Sequence, residues 1–394
     1  MVGTMKAERF RISIPDERID DMRRRIKTVS WPGDFGNEGW HYGVEQVWLQ
    51  TLVSYWADDY DWRAAEARMN ALPQFRVDID GNPIHFIHVR SGRQDAIPLL
   101  LIHGWPETFW DWQAVIADLT RNAPGPAFDL IVPSLPGVAF SSPLRKTGVN
   151  VREIARLWVR LMCDVLGYPR FAAAGGDWGS LIAAELGHAH PDRMLAIHLT
   201  MPVLHEIMPS DVPLSAYAPD EQWMLERMNE AAPHVMSHIT VHSIDPQTLA
   251  YAMADSPVGT AAWLWERRWA GSERTDDLAS CRNRDSLCTL ASLYWLTNTI
   301  GSSMRIYREQ FSSHGLRMKW PLLHGRQPPI PVATGVALAP KEVMFLPRAE
   351  VAKRTDLRRW QTLPRGGHFL SAEEPELLAA EYRAFFGQVI DAGF

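Results

Sequence analysis

Phe171-Ala-Ala-Ala-Gly-Gly-Asp177-Trp-Gly-Ser180-Leu-Ile-Ala-Ala-Glu-Leu-Gly-His-Ala-His190 sets an apolar run, a glycine-rich turn and a helical pattern end to end. The run 171–174 has the length and bounds of a buried strand, and residues 180–190 continue as a helix. Between them the glycines at 175, 176 and 179 let the backbone turn sharply, because glycine reaches conformations closed to residues with a Cβ. Such a join lifts one side chain out at its apex, and here that side chain is Asp177. Taken alone, Gly-Gly-Asp-Trp-Gly also fits an ordinary polar turn; the strand before it and the helix after it favour a turn built for chemistry.

Outward from this turn, short apolar runs at 84–89, 97–102, 128–132 and 195–199 alternate with helical stretches such as 151–166 and 180–190. Runs of this kind suit strands buried on both faces of a mostly parallel sheet with crossover helices. The alternation stops between about 203 and 315, where helical sequence rich in Trp, Met and Tyr intervenes, and resumes with strand signals at 330–334 and 357–363. Ahead of the strands, 15–70 reads as helical. Pro15-Asp16-Glu17 opens one helix whose apolar face holds Ile19, Met22 and Ile26. A second helix at 43–60 is expected to bury Val47, Trp48, Leu52 and Trp56. The expected organisation is a helical N-terminal region 1–75, a core made of 76–202 and 316–394, and a helical lid 203–315. The strand–turn–helix context of Asp177 makes that core an α/β-hydrolase fold, with the lid inserted in it and the N-terminal region as a helical arm.

Composition narrows the function classes. The 394 residues are 46% hydrophobic and 22% charged, as in a globular chain, with no repeat or low-complexity run. A net charge of -6 without a basic tract gives nucleic acid no electrostatic footing. Cys163, Cys281 and Cys288 are too few and too scattered for a disulfide framework, and no C-x-x-C pair suggests zinc or redox chemistry. No apolar stretch approaches the roughly 18 residues needed to span a bilayer. These features predict a soluble, cytoplasmic protein without metal or cofactor and without a membrane partner. Trp, at 17, outnumbers Phe at 14, and several Trp stand beside polar residues.

An aspartate at the apex, in place of serine, changes the chemistry. A carboxylate is already ionised at neutral pH and needs no base to become a nucleophile. It suits attack on an alkyl carbon, which leaves an ester of Asp177 for a histidine-activated water to hydrolyse. His103-Gly104-Trp105-Pro106 follows the strand 97–102, where this fold supplies an oxyanion-hole amide, so the backbone N–H groups of Trp105 and Trp178 are the expected donors. His368, in Arg365-Gly-Gly-His368-Phe369 after the last strand signal, stands where the base belongs. Chain order requires an acid between nucleophile and base. Glu342 fits best, with Glu350 and Asp356 as competitors.

With Tyr60-Asp-Trp-Arg, Pro73-Gln-Phe-Arg-Val-Asp-Ile-Asp-Gly, H-G-W-P, G-G-D-W-G-S, Asp255-Ser-Pro-Val-Gly, Leu293-Tyr-Trp and R-G-G-H-F, the chain resembles epoxide hydrolases of the microsomal type over nearly its whole length. The resemblance implies cofactor-free hydration of epoxides to vicinal diols, with nucleophile Asp177, base His368 and, in the matching T-G-x-x-x-x-P-x-E stretch 334–342, acid Glu342. It also implies lid tyrosines that protonate the epoxide oxygen. One falls on Tyr307, with Tyr294 as backup; the other position holds His238, and since imidazole also donates hydrogen bonds, a His238/Tyr307 acid pair is expected. Vertebrate members of the family carry an N-terminal membrane anchor, and the start of this sequence predicts a soluble enzyme instead.

Two other functions share these residues. A haloalkane or haloacid dehalogenase uses the same Asp turn but needs halide-binding N–H donors, typically Trp, in place of the phenol acid. A catalytically silent ligand-binding protein needs no complete Asp, Glu and His set, and no G-x-S-x-G turn supports a serine esterase. The substrate expected is an apolar, bulky or aromatic epoxide in a pocket lined by Trp110, Trp263, Trp265 and Tyr294. A homo-oligomer stays open.

Overall fold

The arm, core and lid are all traced in a computed structural model that describes residues 6–121, 124–273, 281–311, 317–318 and 320–391, without side chains at 281–283. The strands are β1 (Glu8–Phe10), β2 (Gln74–Ile79), β3 (Asn82–Val89), β4 (Ile97–Ile102), β5 (Phe128–Pro133), β6 (Phe171–Gly175), β7 (Met194–Leu199), β8 (Ile330–Leu338) and β9 (Thr355–Thr362). They form one sheet in the order β1-β2-β3-β5-β4-β6-β7-β8-β9. Its first four strands run antiparallel and the rest parallel. β6 lies mid-sheet between β4 and β7, and every one of its residues is buried. That burial explains its run of small apolar residues, since helices cover both faces of a parallel sheet.

Fourteen α-helices surround the sheet among the described residues. The arm holds α1 (Asp16–Lys27), α2 (Gln46–Asp58) and α3 (Trp62–Asn70). The first part of the core adds α4 (Gln113–Thr120), α5 (Val151–Val159) and α6 (Trp178–Ala189). The lid is α7 (Gln222–Ile244), α8 (Pro246–Asp255), α9 (Pro257–Gly271), α10 (Cys281–Leu296) and α11 (Ile300–Gln310). After it come α12 (Arg348–Arg354), α13 (Leu370–Glu373) and α14 (Pro375–Asp391). None of the described helices is long and apolar enough to cross a membrane. The expected lid-to-core boundary at 315/316 lies outside the described residues.

The arm fastens to the lid through polar tips on buried rings. The Trp56 indole N–H donates to Ser292 Oγ at 2.9 Å, the Tyr60 hydroxyl meets Thr289 Oγ1 at 2.9 Å, and Tyr55 donates to Asp285 Oδ1 at 2.8 Å. Arg18 donates to the carbonyls of Trp295 and Leu296, and Trp40 stacks on Trp269 with ring centres 4.0 Å apart.

Two local expectations are corrected. The N-terminal region is not purely helical: β1 pairs Arg9 with Phe75 and extends the sheet edge, in a segment too short to show a strand period. Val47 is 70% exposed. The buried face of α2 is Leu49, Leu52, Val53 and Trp56, and Val47 lies two residues, or about 200° of helix, from Leu49. The helical stretch expected over 151–166 is present, α5 running directly into a π-helical turn at Arg160–Val165.

Candidate active site

Asp177 caps α6 in a conformation that residues with a Cβ rarely adopt, φ 47° and ψ −128°. The surrounding turn holds it there. Ser180 Oγ donates to the Gly175 carbonyl at 2.6 Å, and Gly179 packs so closely on the Ile102 carbonyl that any Cβ would collide. The glycines of the sequence thus let β6 and α6 meet against β4 with the carboxylate at the apex.

The loop after β4 faces that carboxylate. Trp105 N–H donates to Asp177 Oδ1 at 2.7 Å. Trp178, first residue of α6, has its N–H among the first-turn amides that a helix leaves without an intrahelical acceptor. A Cβ on Gly104 would strike the Asp177 side chain, which is why the loop has glycine there. The Gly104 N–H is taken by Glu107 Oε2 at 2.6 Å, and the Glu107 carbonyl accepts the Tyr294 hydroxyl at 2.8 Å. Burial first, and then the charge of Asp111, push the Glu107 carboxyl up. Among the sequence features only the spacing marks Glu107, a carboxylate three residues from Gly104 and within reach of its amide.

His368 and Glu342 come together as expected. Glu342, in the turn after β8, is buried, and its Oε1 meets His368 Nδ1 at 2.5 Å while also accepting the Val343 N–H at 2.6 Å. With Nδ1 turned to the carboxylate, Nε2 is the nitrogen left for chemistry. It lies 3.6 Å from Asp177 Oδ2, an ion-pair distance too long for a hydrogen bond. The competing acids are engaged elsewhere, Glu350 with Lys353 and Arg354 and Asp356 with Arg358.

A cavity opens over Asp177, walled in large part by the lid. Tyr307 and His238 line it, together with Trp105, Trp178 and the thioethers of Met201, Met208, Met236, Met318 and Met344. Tyr307 stands edge-on to Trp178, ring centres 4.7 Å apart, and His238 stacks on Trp105 at 5.1 Å. Burial, with Asp177 second, raises the Tyr307 phenol well above its ordinary pKa. Burial, with Arg267 second, pushes His238 down to about 3, so it is a neutral imidazole near pH 7.

The four aromatics expected in the pocket are elsewhere. Trp265 is fully buried between the lid and Trp56 and donates to the Leu287 carbonyl. Tyr294 is fully buried with its hydroxyl on the Glu107 carbonyl. Trp263 lies behind the wall, under the Arg267 guanidinium at 3.5 Å, donating to His242 Nε2. Trp110 lines a separate polar cavity with Arg68 and Asp111. Burial won over function for these rings, and periodicity could not separate the two. Among the described residues, no group of three or more His, Cys, Asp or Glu is arranged to hold a metal ion.

Comparison with known proteins gives consistent matches. Residues 7–112 match the family described as epoxide hydrolase N terminus, and 97–240 the alpha/beta hydrolase fold. Epoxide hydrolase 1 of Sus scrofa is 33% identical over 411 residues, covering 96% of this chain and 88% of its own. The solved epoxide hydrolase of Aspergillus niger superposes with a TM-score of 0.83 at 28% identity, over 98% of this chain and 97% of that one. Juvenile hormone epoxide hydrolase from the silkworm Bombyx mori superposes with a TM-score of 0.88 at 25% identity, over 99% and 96%.

Proposed function

The chain belongs to the epoxide hydrolase family and is a hydrolase of ether bonds, and from that premise we propose that it works in two steps through an ester on Asp177. The observation that carries this reading is the division of labour between the two oxygens of one carboxylate: Oδ1 is held by the Trp105 N–H, while Oδ2 faces His368 Nε2 and the cavity. Oδ2 attacks an epoxide carbon, the C–O bond of the ring breaks, and the departing oxygen takes a proton. The phenol of Tyr307 is the donor, with neutral His238 as a second hydrogen-bond donor beside it. Its raised pKa keeps Tyr307 protonated throughout the neutral range, yet an alkoxide is the stronger base.

The ester then has its carbonyl oxygen at Oδ1, already on the Trp105 amide, with the Trp178 amide as the second donor, and this is where negative charge gathers when water attacks Cγ. His368 Nε2 takes the proton of that water, and Glu342 stabilises the imidazolium that forms. Collapse expels the vicinal diol, whose oxygen takes the proton of the nascent carboxylic acid and so restores the Asp177 carboxylate, while the proton on His368 returns to the Tyr307 phenolate and resets both groups. The sulfur-rich, apolar wall supports a bulky apolar substrate, aromatic epoxides included, because thioethers repack around varied shapes. The indole N–H of Trp105 is taken by Ser303 Oγ at 3.2 Å and is not free for a halide.

Incubation with styrene oxide and with a bromoalkane in parallel tests the reading. Diol from the first and no bromide from the second is expected; bromide without diol would make the protein a dehalogenase, and a clear preference for small polar epoxides would count against the apolar pocket.

A further inference from the structure

The nucleophile and the base are held by different parts of the molecule. Asp177 is fixed by the core alone, through β4, β6 and Ser180. The base loop 365–369 is held from the core, where the Lys341 N–H donates to the Gly366 carbonyl at 3.0 Å, and also from the lid. His368 N–H donates to the carbonyl of Gly271, the last residue of α9, at 2.8 Å. Two residues further along the lid, the Glu273 carboxylate accepts the Gly366 N–H at 2.6 Å. Glu373 of α13 closes the clamp, taking the N–H of Glu273 at 2.8 Å and that of Phe369 at 3.0 Å. The two backbones touch at glycines on both sides. A Cβ on Gly367 would run into the Gly271 carbonyl and the Glu273 nitrogen, and one on Gly271 into Phe369. Arg268, on the same turn of α9, spans the two loops of the site: its guanidinium lies 4.0 Å over the Phe369 ring and pairs with Asp111 at 2.8 Å.

We propose that the end of α9, through the Glu273 carboxylate and the Gly271 carbonyl, is the positioning device for His368, so that the base is set for ester hydrolysis only while this part of the lid is seated on the base loop. The proposal rests on the two-step reading and assigns Glu273 a positioning role in its second step. Because the clamp reaches residues 366–369 and not the Asp177 turn, its loss falls on hydrolysis of the ester and spares its formation.

Rapid-quench single turnovers of the full chain with styrene oxide, following the Asp177 ester by mass spectrometry, test this with Glu273→Ala and Glu273→Gln. For Glu273→Ala, ester formation is expected within about twofold of wild type while hydrolysis slows about tenfold, the scale of one charge-assisted hydrogen bond, so the ester accumulates. Glu273→Gln, whose amide oxygen still accepts the Gly366 N–H, is expected to recover most of the loss. Gly271→Ala, which presses a methyl on Phe369, is expected to show the same selective defect. Hydrolysis at the wild-type rate in Glu273→Ala, equal slowing of both steps, or no rescue by Gln would overturn the proposal. Absence of any ester in wild type would instead overturn the two-step reading on which it stands.

Discussion

His368 is held between two carboxylates, and on the proposed two-step route only one keeps its charge through the reaction. Burial would lower its pKa, but the charges of Glu342 and Asp177 and the Glu342 hydrogen bond outweigh it and lift His368 well above its ordinary value. Esterification removes the Asp177 charge while burial and Glu342 remain, so the pKa falls at the moment a base is needed. Ester hydrolysis is therefore expected to rise with pH through a midpoint below the pKa that an NMR titration gives for His368 in the free enzyme; coincident values would contradict this coupling. His368→Gln is expected to form the ester but hydrolyse it about 10³-fold more slowly, within the range of a general base. Tyr307→Phe is expected to slow ester formation about 10²-fold, and His238→Ala less. A His238→Ala enzyme with unchanged turnover at every pH would leave Tyr307 as sole donor. The triad residues were legible because glycines, strand ends and chain order constrain them. Glu273 was not, since it acts on a backbone amide 93 residues away that only folding brings near.

At the scale of elements, the sequence revealed β4, β5, β6 and β7 within a residue or so because a buried parallel strand leaves an unbroken apolar run. The lid was legible as helical but not in its facing. Trp263, Trp265 and Tyr294 carry polar tips that looked like pocket chemistry and instead bond to His242, Leu287 and Glu107. The arm uses the same device: Trp56 is buried against Trp265 with its N–H on Ser292 of α10. Trp56→Ala is expected to destabilise the fold by about 3–5 kcal/mol, as for other large-to-small changes in a core. It should also expose the lid to limited proteolysis before the core. Cleavage beginning in the core would contradict the arm's role as the lid's anchor.

For the whole molecule, burial of neutral histidines sets the acid limit of stability. Burial, the largest cause in each case, pushes His85 and His238 down to about 3 and His88 and His103 to about 4. The unfolded chain takes up these protons first, so stability present above the ordinary histidine pKa of about 6.5 is lost as pH falls toward 4, by up to about 1.4 kcal/mol per pH unit for each histidine. His368 runs the other way, its contribution present below about 6.5 and lost as pH rises through its raised pKa, but it is one group against these four and against His188, His190, His198, His205 and His242, which burial also pushes down. The melting temperature is expected to fall clearly between pH 7 and pH 5, and a flat profile would contradict the assignment. Composition showed the sum of such choices, a globular chain with surplus tryptophan, while folding decided which rings face the substrate. The central claim is that Asp177 becomes an ester. A single turnover of styrene oxide in heavy-oxygen water tests it most directly: label in the peptide carrying Asp177, with none in the first diol, is predicted, and label in that diol with an unlabelled Asp177 would mean that water attacks the epoxide itself.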